Sequence, residues 1–271
     1  MRKRKELRSA LTIAGADSGG GAGIQADLKT FAALGVHGTS VITCLTAQNP
    51  RGVLGIQAAA PPIIAKQLEA VFAELPPAAV KTGMLFSAAV VRTVAEFLRN
   101  RRVPLVVDPV MISTSGARLL KNDAVWVLWR ELLPQATLLT PNLDEAAVLL
   151  GRKLTSVEDL RTAARELSQR FGCAVLVKGG HLRGLNEAVD ILYAGGEEWL
   201  LSAPYIRGLH THGTGCTYSA AITGYLALGA PLPRAVAEAK TFITNAIAQS
   251  QTVSGHTILN SFWGRGAVSK G

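Results

Sequence analysis

The chain has 271 residues, 48% of them hydrophobic and 17% charged, with a net charge of +9 at neutral pH. That composition supports a sizeable buried core and excludes wholesale disorder, and the length suits one large α/β domain or two small ones. Glycine, at 27 of 271 residues, exceeds the usual share of ~7% without the Gly-X-Y period of collagen, so the excess serves turns or backbone that approaches a ligand.

The charge is local. Residues 1–8 carry five bases and one acid and read as a solvated, flexible terminus. No motif for base readout follows it, so nucleic-acid binding is not expected. Cys44, Cys173 and Cys216 make no disulfide framework and point to a reducing compartment. The apolar run at residues 11–16 is cut by Asp17 and glycines, so it is no secretory signal. Residues 208–233 lack Asp, Glu, Lys and Arg but hold His, Ser, Thr, Gly and two Pro, which reads as a buried loop and helix rather than a membrane span. A soluble, cytoplasmic protein is expected.

In chain order, residues 10–15 read as a strand, and Ile24, Leu28 and Phe31 then repeat at helical spacing. Residues 36–45 are rich in β-branched side chains. Helices are predicted at 61–72, 88–98 and 123–133, and strands at 79–84 and 104–110. Residues 138–140 form a strand stopped by Pro141, and Asn142 caps a helix to residue 150. The pattern Thr155-Ser-Val-Glu158 is a capping box opening a helix to 169. Residues 174–178 form a strand, and 188–194 with 198–202 flank Gly195-Gly196 as a hairpin. Helices at 215–228 and 231–249 complete the chain. The alternation predicts an α/β fold with a mainly parallel sheet covered by helices. The expected organisation is a basic tail (1–9), one domain (10–265) and a short C-terminal tail (266–271).

In such sheets ligands bind beyond the carboxyl ends of the strands. Polar and glycine residues gather there. Gly15-Ala-Asp-Ser-Gly-Gly-Gly-Ala-Gly23 follows the first strand. A dinucleotide fingerprint there lacks its ribose-binding acid, because residues 35–48 hold no Asp or Glu. It is not a P-loop, because no Gly-Lys-Ser/Thr follows. Asp27 reads either as a ligand contact on the inner side of its helix or as an acid favoured by the helix dipole.

Gly213-Thr-Gly215 leads into a long apolar helix whose N–H groups make an anion site. Cys216 stands in its first turn, either as a thiol whose pKa the helix lowers or as a small buried residue. Asn142 and Glu145 form a cap and equally suit Mg2+ beside phosphates. Lys178 is a strand end or a phosphate-neutralising charge. His181, His210, His212 and His256 show no metal spacing, and His37 is isolated.

These residues together resemble the ribokinase superfamily. The chain is most similar to the bacterial hydroxymethylpyrimidine/phosphomethylpyrimidine kinases of thiamine biosynthesis. The matching segments are residues 11–30, Thr46-Ala-Gln-Asn49, Lys81-Thr-Gly-Met84 and Val107-Asp-Pro-Val-Met111. They continue in Thr140-Pro-Asn-Leu-Asp-Glu-Ala146, Val177-Lys-Gly-Gly-His181 and Thr211-His-Gly-Thr-Gly-Cys-Thr217. The loop at residues 17–19 lacks the Pro common in that family, and 207–210 and 255–263 depart from its pattern.

The resemblance implies an ATP- and Mg2+-dependent kinase acting on the hydroxymethyl group of an aminopyrimidine and on its monophosphate, as a homodimer. Gly15, Asp27 and Gln48 would contact the pyrimidine, with Met84 and Val110 packed on the ring. Asn142, Glu145, Lys178 and Thr211 would serve the nucleotide, and Glu145 with Asp108 the metal. Gly213, Thr214, Gly215 and Cys216 would form the anion hole, with Lys178 beside it and Cys216 as candidate base. The alternatives are a vitamin B6 kinase on the same fold, a cysteine hydrolase using Cys216 with His212 or His256, and a non-catalytic pyrimidine-binding protein.

Overall fold

A computed structural model describes residues 6–111, 120, 122–180, 182, 184, 186–206 and 212–264. Thr211, His181 and His210 therefore lie outside the described residues. The chain runs β1 (Ser9–Asp17), α1 (Gly23–Ala33), β2 (His37–Asn49), β3 (Gly52–Ala58), α2 (Pro61–Glu74), β4 (Ala79–Thr82), α3 (Ala88–Leu98) and β5 (Leu105–Val107). It continues through α4 (Asn122–Val127), β6 (Leu138–Leu139), α5 (Leu143–Leu150), α6 (Val157–Phe171), β7 (Ala174–Lys178), β8 (Glu187–Ala194) and β9 (Glu197–Pro204). Helices α7 (Thr214–Ala227) and α8 (Leu232–Ala248) and the hairpin β10–β11 (Gln251–Val253, His256–Ile258) follow.

The first nine strands form one sheet in the order β3-β2-β1-β4-β5-β6-β7-β8-β9. The six inner strands from β2 to β7 are parallel, and antiparallel β3 and the β8–β9 hairpin close the edges. Chain order reverses direction between β1 and β4, the place where open α/β sheets leave a crevice.

Side-chain alternation along the strands sends Leu11, Ile13 and Val80 to one core, with Val91 of α3 and Leu160 of α6. Ala10 and Ala79 point the other way, against Phe31 of α1 and Ala220 of α7. Helix α7 packs on α1, α8 and the sheet. Its residues from Thr217 to Gly224 are all buried, which explains the uncharged composition of this stretch. Among the described residues no helix is long and apolar enough to cross a membrane.

Besides the unpredicted β10–β11 hairpin, three elements differ from expectation. The helix predicted at 123–133 is broken: after α4 the chain continues in a π-helical turn (Leu128–Leu132) and a 3-10 turn (Leu133–Gln135) at Pro134. Strand β3 was not predicted, because it is an exposed edge strand with an interior Gly55 and no apolar alternation; Leu54 is 81% exposed. The capping box of α6 sits one residue later than its sequence pattern. Ser156, not Thr155, accepts the Asp159 N–H, and Asp159, not Glu158, reaches back to the Ser156 N–H. Asp159 Oδ2 also takes the Thr155 N–H and hydroxyl, so the shorter acid satisfies more donors. Ser156→Ala should lower unfolding stability by about 1 kcal/mol, and Glu158→Ala should leave it within a few tenths, as read by urea denaturation.

Candidate active site

Parallel strands end at one edge, so β1 delivers Asp17, β4 delivers Lys81 to Gly83, β5 delivers Asp108, and β7 delivers Lys178. Together with the start of α7 they line one elongated cavity of about 630 Å³.

Its floor is an ion pair. Lys81 Nζ stands 2.9 and 2.8 Å from the two Asp27 oxygens, and both side chains are fully buried. Thr12 donates to Asp27 Oδ2 at 2.6 Å. Burial pushes the Asp27 carboxyl up, and the Lys81 ammonium pulls it down. For Lys81, burial opposes the charge, but Asp27 outweighs it and holds the ammonium above its usual range. On balance burial prevails at Asp27 and its carboxyl sits above the usual range. The Asp27 oxygens bond to Lys81 and Thr12, and of the pair it is Lys81 that lines the cavity.

At one end the cavity is walled by Gly15, Met84, Val110 and Gln48. A side chain at Gly15 would meet Cys44 Sγ at 2.7 Å. Asp17 organises the first glycine loop by accepting the N–H groups of Gly19, Gly21 and Ala22. Burial raises the Asp17 pKa, but bonds from His212 and these amides outweigh it, and the carboxyl sits below its usual range. His212 Nε2 lies 3.2 Å from Asp17 Oδ2 and 2.9 Å from Gln48 Nε2.

The middle of the cavity carries the charges suited to phosphates. Asp108 accepts from Lys178 Nζ at 3.1 Å, Thr140 Oγ1 at 3.3 Å and Ser219 Oγ at 3.1 Å. Burial raises its pKa, but Lys178 and Lys81 prevail and hold the carboxyl low. Glu145 completes the capping box of α5 with Asn142, and its oxygens accept the Asn142 and Met111 N–H groups. Burial and the nearby Asp108 charge push Glu145 up to about 7, with Lys178 opposing. Burial works against the Lys178 ammonium, but Asp108 and Glu145 raise it.

The start of α7 faces this cluster. A Cβ on Gly215 would lie 3.3 Å from Lys178 Nζ and 3.9 Å from Asp108 Oδ2. Gly213 has φ +85°, and a Cβ there would sit 1.8 Å from the Gly21 carbonyl oxygen, so the second glycine loop rests directly on the first. Gly213, Thr214, Gly215 and Cys216 all reach the cavity. The Cys216 thiol is pushed up to about 11 by burial; Lys81 and the Gly23 N–H favour its thiolate, and Asp27 and Asp108 oppose it. Of the two readings of Cys216, burial is the one that shows here: desolvation and two carboxylates outweigh the favourable charges.

The far end is lined by Ile243 and Ile247 with a third buried ion pair. Lys240 Nζ lies 2.7 Å from Asp190 Oδ2 and 2.8 Å from the Ala188 carbonyl, and Asp190 Oδ1 accepts the Gly179 N–H. Tyr218 is buried beside it, and burial with the Asp190 charge raises its hydroxyl pKa. Sequence reasoning missed Asp17, Lys81, Asp190 and Lys240. The signal was there for the two lysines, since each interrupts an otherwise buried face, Lys81 on that of Ala79 and Lys240 on that of Val236 and Ile243.

Lys81→Met should strip Asp27 of its counter-charge and lower stability by ~3–5 kcal/mol, and Lys81→Met with Asp27→Leu should recover most of it. Equal losses in the single and double variants, by thermal or urea unfolding, would contradict the paired reading.

Residues 17–260 match a family model described as phosphomethylpyrimidine kinase. The chain is 51% identical over 239 residues to the hydroxymethylpyrimidine/phosphomethylpyrimidine kinase of Rhizobium meliloti, covering 88% of this chain and 90% of that one. It is 50% identical over 254 residues to the thiamine biosynthesis bifunctional protein ThiED of Geobacter sulfurreducens, covering 93% of this chain but only 52%, about half, of that longer protein. The fold is similar to the pyridoxal kinase of Staphylococcus aureus in complex with AMP-PCP, with TM-score 0.88 at 32% identity, covering 97% of this chain and 96% of that one.

Proposed function

The chain belongs to the phosphomethylpyrimidine kinase family, and from that membership we propose that it transfers the γ-phosphoryl group of ATP to the hydroxymethyl group of an aminopyrimidine and then to the resulting monophosphate. One observation carries the reading. The glycine start of α7 stands against Lys178 and Asp108 at the middle of a cavity whose one end is a small pocket of Gly15, Met84, Val110 and Gln48. A donor phosphate and an acceptor alcohol therefore have adjacent places. The vitamin B6 kinase alternative is less favoured, since the relatives named for the pyrimidine reach 51% identity and the pyridoxal kinase shares 32%.

Phosphoryl transfer passes through a loose transition state with charge spread over the equatorial oxygens, so positioning and neutralisation dominate. The N–H groups of Gly215 and Cys216 point out of the first turn of α7, where no intrahelical acceptor exists for them. They would meet that charge together with the Lys178 ammonium. Lys178 is held by Asp108, which fixes its position without consuming all three of its donors.

Asp108 and Glu145 fit Mg2+. Both are buried oxygen donors, and Glu145 is raised by burial and by its fellow carboxylate, a repulsion that a cation relieves. Among the described residues no three or more His, Cys, Asp or Glu gather as a closed cage. The two carboxylates would hold the ion with water and phosphate oxygens completing its shell, the usual arrangement for Mg2+. The ion would neutralise phosphate charge there.

The panel that tests this reading is ATP consumption with pyrimidine and pyridine alcohols, with and without Mg2+. Mg2+-dependent turnover of the hydroxymethyl aminopyrimidine is expected, and absence of turnover on every alcohol overturns the reading.

Cys216 is the proposed proton acceptor. Its thiol, held up at about 11, is neutral at rest, and the thiolate fraction grows about tenfold per pH unit below that value. The sign is therefore upward: kcat climbs with pH through the alkaline range. Cys216→Ala should lower kcat by ~10²–10⁴-fold, flatten that climb and spare ATP affinity. An unchanged kcat would remove Cys216 from proton transfer.

A further inference from the structure

His212 immediately precedes the anion-binding turn, and one ring atom of it is shared between two elements of the acceptor pocket. Its Nε2 lies 2.9 Å from Gln48 Nε2 and 3.2 Å from Asp17 Oδ2. An amide nitrogen only donates and a carboxylate only accepts. The first contact therefore needs a bare Nε2 with the proton on Nδ1, and the second needs a proton on Nε2. Both cannot hold at once.

Asp17 favours the second: beside three loop amides it still takes a bond from His212, which helps hold its carboxyl below the usual range. Thr46 allows either. Its single hydroxyl proton has the Ala16 carbonyl at 2.9 Å and Gln48 Oε1 at 3.2 Å as competing acceptors. Given to Ala16, that proton leaves the Thr46 oxygen able to accept from an amide turned end for end. Gln48 thus has two satisfied orientations, one donating to His212 and one accepting from it.

We propose that His212 is a specificity-determining positioning residue: the location of its ring proton selects which end of the Gln48 amide faces the acceptor pocket. The inference rests on the proposed pyrimidine-kinase reading, in which Gln48 reads the ring. A 4-aminopyrimidine presents a donor beside an acceptor, so an amide that binds it must be held one way round. His212 supplies that hold from the loop that also carries the anion turn, since the His212 ring stands 2.9 Å from where a Cβ on Gly21 would be.

The test is steady-state kinetics of full-length wild type, His212→Leu, His212→Gln, Gln48→Ala and the His212→Leu/Gln48→Ala double variant. Wild-type turnover of the pyrimidine alcohol checks the underlying reading, so its failure is distinguishable from failure of this inference. Loss of one well-placed hydrogen bond predicts about a tenfold rise in KM for the pyrimidine in His212→Leu, with KM for ATP and kcat within about threefold of wild type. His212→Gln, whose amide can either donate to or accept from Gln48, should recover most of the loss. In the Gln48→Ala background, His212→Leu should add nothing to KM. A fall in kcat or ATP affinity at unchanged pyrimidine KM, or additive effects in the double variant, overturns the proposal and makes His212 a support of the anion turn alone.

Discussion

The site exists because two backbone turns touch. Gly213 lies so close to Gly21 that any side chain there would strike a carbonyl oxygen at 1.8 Å, and Gly23 at φ +56° approaches the Gly15 carbonyl almost as closely. These are rigid contacts between main-chain atoms and no flexible side chain can yield to relieve them. They bring the starts of α1 and α7 together at the crevice where the sheet reverses its order. On the proposed reading, one turn would close the acceptor pocket and the other would present N–H groups to an anion, and backbone packing would make donor and acceptor sites neighbours.

Charge along the cavity is arranged in pairs. Asp27 with Lys81, Asp108 with Lys178 and Asp190 with Lys240 are each buried and each sum to zero. Burying an unpaired ion is expensive, and a paired one is tolerable only with further hydrogen bonds. Each pair has them, from Thr12, from Thr140 and Ser219, and from Gly179. Glu145 stands outside this scheme. It has backbone donors but no lysine of its own, and its carboxyl is accordingly the one carboxyl here lifted to about 7. Beside the paired charge of Asp108 and Lys178, this lifted carboxylate is disposed to take up a cation.

Much of this was legible in the sequence where the physics is local. The glycine turns, the Asn142 to Glu145 cap and the uncharged helix α7 each depend on residues a few positions apart, and the strand ends that line the cavity follow from β-α alternation. The pairs were not legible, because their members are distant in sequence and only the sheet order joins them. Asp27 is the clearest instance. Its place on the inner side of α1 follows from the helical period, but Lys81 lies one strand over, and alternation along β4 turns that lysine toward α1. The α6 cap shows the same limit at short range: Thr155-Glu158 and Ser156-Asp159 both satisfy the pattern, and only the closing hydrogen bonds choose.

The neutral thiol at Cys216 follows from these arrangements. Asp27 and Asp108 face it, and the incoming phosphates are anionic. A carboxylate at this position would add a third like charge to the cavity wall and oppose the approach of the γ-phosphoryl oxygens. On the proposed reading, a thiol would leave the anion hole uncharged as a nucleotide binds, while the Gly23 N–H and the Lys81 ammonium favour its thiolate form. On the proposed reading the substrate alcohol becomes strongly acidic only as its oxygen bonds to phosphorus, and only the thiolate form of Cys216 can take that proton, so the thiolate fraction sets how fast this step runs.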